Sequence, residues 1–167
     1  MVILPNYKHG DPPGMRKNEH RAPWECIFAK EDTSKCEPVR KPKSDQEYFE
    51  ILCLCILQAG LNWGTVRNNW LKIKKGFYGF DVNRLSKTTV SDLIKRPGVY
   101  NNKNKVNAIV ANAYEFQKIK RDFGTFMNFL ISLKKLKDRE AVRQLARQFK
   151  HVGKYTGEYY LHCVGYW

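Results

Sequence analysis

The most apolar run of the chain, Ile51 to Leu57, would leave hydrophobic side chains on every face of a helix, with Phe49, Leu52, Cys53 and Ile56 on one stripe. A helix with so little polar surface belongs inside a protein, so "QEYFEILCLCILQAG" is predicted to be central, with Ser44 or Asp45 as its N-cap. The "NWGTVRNNWLKIKKGF" segment predicts one further helix ending near Gly76. Asp81 is expected to cap a short turn around "VNRLS", and "TTVSDLIKR" reads as a short helix stopped by Pro97. Val106, Ile109, Val110 and Ala113 recur at the i, i+3, i+4, i+7 spacing of an amphipathic helix. "TFMNFLISLKKLK", "REAVRQLARQF" and "TGEYYLHCVGY" supply three more, which brings the expectation to about seven helices and no sheet, since no period-two alternation is sustained. Residues 1–44, broken by "HGDPPG", "RAPWE" and "VRKPKSD", predict an irregular arm ahead of a helical domain at 45–167.

Charge adds a partner to this picture. Thirty Lys and Arg face 16 Asp and Glu, a formal +14, and residues 101–154 alone carry 13 basic against 4 acidic side chains. A polyanion is the natural complement, because Lys and Arg that replace phosphate counterions gain affinity whatever the base sequence. Lys-rich solvated helix faces are the plainer reading of the same numbers. The apolar run is far shorter than the roughly 20 residues of a membrane span, and "MVILPNYKHG" lacks a signal-peptide core, so a cytoplasmic, nucleoid or nuclear protein without membrane contact is expected. Five Cys, with no Cys-x-x-Cys pair, predict reduced and mostly buried thiols. His9, His20, Cys26 and Cys36 could in principle gather a zinc ion, but the expectation is no metal and no cofactor.

The segment "FKHVGKYTGEYYLH" has a different kind of information. A helix that stops at a hydrophobic-x-x-hydrophobic-Gly turn and restarts at once presents backbone N–H groups suited to a phosphate. Phe149, Val152, Gly153 and Thr156 resemble the hairpin of helix-hairpin-helix DNA glycosylases, with His151 where the pattern has its first Gly. "FEILCLCILQAGLNWGTV" is similar to the Phe-Glu-x-hydrophobic-Cys-Leu-Glu-x-x-Gln-Ala-Gly-Leu-Ser-Trp stretch of 3-methyladenine DNA glycosylase I, and "GVYNNKNKVNAIVANAYEF" to that family's Gly-Ile…Lys-Ile…Asn-Ala stretch. The three likenesses run in the family's order over roughly 45–165.

The resemblance implies an all-α helix-hairpin-helix DNA glycosylase fold and a DNA base-excision repair enzyme. Such an enzyme flips a damaged, alkylated base of 3-methyladenine type out of duplex DNA and releases it by hydrolysis. It implies a base pocket at Cys55, Gln58 and Trp63, a wedge or DNA-gap turn at Gly60, Leu61 and Asn62, and backbone anchoring by His151, Val152, Gly153, Lys154 and Thr156. Lys103 and Lys105, in the matching hairpin before the amphipathic helix, are either phosphate contacts or solvated. The physics of the pocket agrees, since a flipped base needs a stacking face and amide hydrogen bonds. Cys55 stands where the family has a Glu that reads the methylated adenine, and a thiol is a far weaker acceptor than a carboxylate. The family's zinc clamp is not carried over; the Pro-rich arm stands in its stead, with Trp24 expected either to pack on the body or to line the pocket. Glu50 and Glu158, on predicted inner helices, are the acids available for catalysis; no Lys is placed for lyase chemistry, so a monofunctional, monomeric enzyme is expected. The alternatives are a non-catalytic protein that binds lesions on the same scaffold and a helical RNA-binding protein.

Overall fold

A computed structural model describes residues 41–61 and 63–166, the side chains of Trp63, Gly64, Arg67 and His162 excepted. The readings of the arm, His9, His20, Trp24, Cys26 and Cys36 among them, therefore lie outside the described residues, as does Asn62.

Ser44 is extended (φ −144°, ψ 158°) and its Oγ accepts the Glu47 N–H at 3.2 Å, which starts α1 (Asp45–Gln58). Asp45 serves another helix: its carboxylate accepts the Phe126 N–H at 3.0 Å and meets Lys120 Nζ at 3.3 Å. From Tyr48 to Gln58 every side chain of α1 except Glu50 is buried, as its unbroken apolar surface requires.

The single helix expected after α1 is instead two, α2 (Trp63–Asn68) and α3 (Trp70–Gly76). Asn69 makes the break. Its Nδ2 donates to the Thr65 carbonyl at 2.9 Å while its backbone N–H reaches the same oxygen at 3.3 Å, so side chain and backbone compete for one acceptor. Trp70 lies partly buried and stacks on Phe80 at 5.4 Å, which joins α3 to the core.

A 3-10 turn at Tyr78–Phe80 follows, then α4 (Val82–Leu85), capped by Asp81 Oδ1, which accepts the Arg84 N–H at 2.8 Å. Next come α5 (Val90–Ile94), ending ahead of Pro97, and α6 (Lys103–Phe123). The chain closes with α7 (Phe126–Leu133), α8 (Asp138–Gln148) and α9 (Lys154–Cys163). The described residues thus form nine α-helices and no strand, two more than expected because one helix is split and the "VNRL" turn is helical.

α1 is the axle of this arrangement, touching α6, α7, α9 and the 3-10 turn. Phe49 meets Phe116 edge-on at 5.2 Å, and Phe116 stacks on Phe126 at 4.4 Å, so one aromatic cluster joins α1, α6 and α7. α6 runs antiparallel to α1: Lys120 reaches the first residue of α1, and Lys105 reaches its last carbonyls. That pairing brings the C-terminal end of α1 beside the N-terminal end of α6. No helix among the described residues is long and apolar enough to cross a membrane.

Candidate functional site

At the C-terminal end of α1 the helix closes in a β-turn. Ala59 (φ −58°, ψ 123°) and Gly60 (φ +72°) occupy its centre, and the Leu61 N–H returns to the Gln58 carbonyl at 3.0 Å, the pattern of a type II turn. The left-handed conformation at Gly60 is the reason a glycine stands there, since a Cβ would meet nothing within 4 Å. Leu61 emerges from the turn 44% exposed, an apolar side chain offered to solvent as a wedge would be.

Gln58, one turn of helix beyond Cys55, is only 2% exposed, and neither its amide oxygen nor its amide nitrogen has a hydrogen-bond partner among the described residues. A buried amide left unpaired costs about 1–3 kcal/mol, so a native chain keeps one where something else completes it. Cys55 is also buried and unbridged, as are Cys53 and Cys163. Burial pushes the Cys53 thiol well up, which keeps it protonated.

Lys105 is turned inward and not solvated. It is 8% exposed, and its ammonium donates to the Leu57 carbonyl at 2.9 Å and to the Ala59 carbonyl. These acceptors include carbonyls that the end of a helix leaves orphaned, so Lys105 caps α1 from α6 and pins the turn that carries Gly60 and Leu61. Burial lowers its pKa from the usual 10.5. Lys103, two residues earlier, does face solvent.

The second half of the site is the connection from α8 to α9. Phe149 is extended (φ −116°, ψ 137°) and buried beside Phe116 and Phe126. Val152 is 5% exposed, whereas Lys150, His151, Gly153 and Lys154 face solvent and Thr156 is half-buried. The residue with left-handed backbone is His151 (φ +59°), not Gly153, whose φ is ordinary and whose missing Cβ leaves open space. His151 therefore adopts the conformation that the hairpin pattern assigns to glycine, and Gly153 serves close approach instead of turning. Ahead of it, Gly157 lets α9 sit tight on α8, where a Cβ would come within 3.2 Å of Val142. The first amides of α9 have no acceptor inside the helix and open onto this exposed basic surface.

One residue that sequence reasoning did not single out holds the hairpin in place. Asn112 of α6, 1% exposed, donates Nδ2–H to the Lys150 carbonyl at 2.9 Å and accepts the Lys150 N–H on Oδ1 at 2.7 Å. Its signal was a polar residue on the buried stripe of an amphipathic helix, one position before Ala113. Tyr100, just before α6, was likewise missed: its hydroxyl is buried without a partner among the described residues, and burial raises its pKa.

The two acids fall elsewhere. Glu50 is held by Lys74 of α3 at 3.0 and 3.2 Å, an ion pair eight residues, about 12 Å, before Gln58 on the same helix. Glu158 is on α9, but its side chain faces solvent instead of the interior, because the apolar positions of α9 take the buried face. Among the described residues no three His, Cys, Asp or Glu side chains gather as metal ligands.

A helix-hairpin-helix, an apolar helix ending in a buried amide and a glycine turn, and a second helix that braces both thus come together in this chain. Residues 32–158 match the model of the methyladenine glycosylase family. The chain belongs to that family.

The methyladenine glycosylase match runs from before α1 to the middle of α9 and so takes in both halves of the site. The DNA-3-methyladenine glycosylase of Haemophilus influenzae is 32% identical over 96 residues, 55% of this chain and 52% of that protein. DNA-3-methyladenine glycosylase 1 of Escherichia coli is 30% identical over 95 residues, 54% of this chain and 51% of its own length. The aligned part thus spans about half the length of these curated relatives. Among solved structures, 3-methyladenine DNA glycosylase I from Staphylococcus aureus aligns with a TM-score of 0.69 at 23% identity, over 87% of this chain and 92% of that one. A variant of 3-methyladenine DNA glycosylase I in complex with 3-methyladenine aligns at 0.66 and 22% identity, over 76% and 80%. The all-helical fold is therefore the fold of 3-methyladenine DNA glycosylase I.

Proposed function

We propose that the protein is a monofunctional DNA N-glycosylase that binds damaged duplex DNA, flips out an alkylated purine and releases it by hydrolysis of the N-glycosidic bond. The observation that carries this reading is the buried amide of Gln58 at the end of α1, unpaired among the described residues. An amide offers one acceptor and two donors, which complement the edge of a purine. Leu61, beside it on the Gly60 turn, is the side chain available to fill the gap left in the duplex. Val152, Gly153, Lys154 and Thr156 anchor a phosphate through the first amides of α9, with Lys150 adding to the positive rim.

No acid among the described residues of α1 is nearer to Gln58 than the Lys74-bound Glu50, and the equivalent of a base-reading carboxylate is the Cys55 thiol. Hydrolysis of an alkylated purine tolerates this arrangement, because the positively charged base is already a good leaving group and hydrogen bonds to it strengthen as the bond breaks. The same absence favours a second reading, a lesion-binding protein that has lost the chemistry. The relatives named glycosylases tilt the choice to the enzyme.

The test is base release from randomly methylated duplex DNA, with the freed bases identified. The enzyme should liberate methylated purines, Gln58→Leu and Trp63→Ala should each reduce release by at least about tenfold, and Gln58→Leu should keep most duplex affinity. Tight binding with no release would establish the lesion-binding alternative.

A further inference from the structure

At the opposite end of α1 from the Gly60 turn, the chain builds an unusual arrangement around Tyr78. The carbons Cζ of Arg84 and of Arg96 each lie 3.8 Å from the centroid of its ring. A guanidinium that close sits nearly over the ring centre, so two of them cannot share a face and must sandwich the phenol between them. Stacking on an aromatic face leaves the edge N–H groups of a guanidinium free to bond outward.

Neither cation is neutralised by a described residue. Asp81, the nearest acid in sequence, spends Oδ1 on the Arg84 backbone N–H, and among the described residues no carboxylate lies within 4 Å of either guanidinium. Arg96 is fixed by Nε donating to the Gly76 carbonyl at 2.7 Å and by Nη2 donating to that of Lys75 at 3.3 Å, which leaves Nη1 unused. Arg84 makes no side-chain hydrogen bond, and the Tyr78 hydroxyl has no partner among the described residues. Lys72, Lys75, Lys87 and Lys95, all exposed, belong to the same stretch of chain.

The backbone beneath is strained to present the ring. Tyr78, Gly79 and Phe80 are all left-handed, at φ +54°, +67° and +59°, and Gln46 of α1 holds the turn by donating Nε2–H to the Phe80 carbonyl at 2.6 Å and the Gly79 carbonyl at 3.1 Å. Two non-glycine residues kept left-handed on either side of a left-handed glycine mark a conformation that the surroundings must impose. One arginine would suffice to cover the ring. Two unpaired ones repel each other, and a group that satisfies both is an anion with several oxygens.

We propose that the Arg84–Tyr78–Arg96 sandwich binds a backbone phosphodiester of the DNA duplex, as a second anchor remote from the hairpin. This rests on the reading of the protein as a DNA-binding glycosylase. Arg84 offers its fork, Arg96 its remaining amino group and Tyr78 its hydroxyl to the phosphate oxygens. Gln46, which ties the turn down, is twelve residues from Gln58 on α1, about 18 Å, or roughly five base-pair steps along a duplex. The sandwich therefore acts only on DNA that extends well past the pocket.

The experiment uses the full chain and two undamaged duplexes, of about 8 and about 24 base pairs, with affinity measured across a salt series. Arg84→Gln should weaken the long duplex about 3–10-fold and lower its salt slope by about one, leave the short duplex unchanged, and be partly rescued in Arg84→Lys. In the unsubstituted protein, the side-chain Nε–H resonances of Arg84 and Arg96 should shift with the long duplex and not with the short one, a readout that needs no variant. An unaltered long-duplex affinity together with unmoved arginine resonances would overturn the proposal and leave the sandwich a packing device. Resonances that respond to inorganic phosphate but not to either duplex would overturn it too, in favour of a small phosphate ligand. Lys154→Glu is the control for the reading beneath. If that variant still weakens the short duplex, the sandwich alone has failed; if neither duplex binds the unsubstituted protein, the DNA-binding reading has failed with it.

Discussion

Lys105 shows how one side chain can carry a charge into a helix end. Its ammonium caps the carbonyls of Leu57 and Ala59, and burial lowers its pKa from 10.5. In the unfolded chain the amine keeps its proton up to the ordinary value, so between the lowered folded pKa and 10.5 the unfolded state binds more protons. Stability contributed by this residue therefore rises with pH across that window. Compared with Lys105→Met, the unsubstituted protein should gain stability as pH is raised toward 10.5, measured as the difference between two denaturation midpoints at each pH. A difference that stays flat or shrinks would contradict the burial of the charge. His151 is the opposite case, a side chain that only burdens its backbone. Held at φ +59° and exposed, it should be replaceable: His151→Gly is expected to change stability by between zero and about +1 kcal/mol, the relief of the left-handed strain being offset by glycine's extra freedom when unfolded. Clear destabilisation in urea unfolding would mean that the imidazole makes a contact of its own.

Between elements, the telling connection is the one from α6 to the hairpin. The α8–α9 link has little hydrophobic burial beyond Phe149 and Val152, and the Asn112 amide fixes the Lys150 peptide unit at both its N–H and its C=O. Asn112→Ala removes both hydrogen bonds and leaves a cavity at a buried site, so a loss of about 2–4 kcal/mol is expected. Amide exchange should localise the effect, with Lys150 N–H losing protection more than the α1 amides do. Uniform loss across the fold would show that Asn112 supports the core and not the hairpin specifically. DNA affinity should fall as well, because a loosened turn no longer holds the first amides of α9 in register with a phosphate. The split between α2 and α3 belongs to the same scale: a short amide at Asn69 outcompetes helix propagation, which a window of apolar spacing does not register.

At the scale of the whole molecule, the packing of α6 against α1 joins what would otherwise be two separate sites. Lys105 at one end of α6 fixes the Gly60 turn, Asn112 in its middle fixes the hairpin, and Lys120 near its other end ties α6 to the start of α1. What the amino-acid sequence determined by itself was everything that depends on local spacing. The helices other than the α2–α3 break and α4, the caps at Ser44 and Asp81, the central place of α1 and the positions of the hairpin and the glycine turn follow from periodicity, side-chain chemistry and a family pattern of short motifs. What only the tertiary structure decided was the partner of each polar group, which depends on residues dozens of positions away. Lys105 read as a phosphate contact or a solvated side chain until α1 supplied buried carbonyls for its ammonium. Glu158 looked like an inner acid until the apolar face of α9 turned it outward. Gln58 is the converse, a buried amide without a partner among the described residues, which is what the proposed base pocket rests on. The sandwich on Tyr78 combines residues from three separate segments, and no one-dimensional pattern brings two arginines to opposite faces of one ring. Local preference is written along the chain, whereas charge pairing and desolvation are set by which distant segments the collapse of the core brings together.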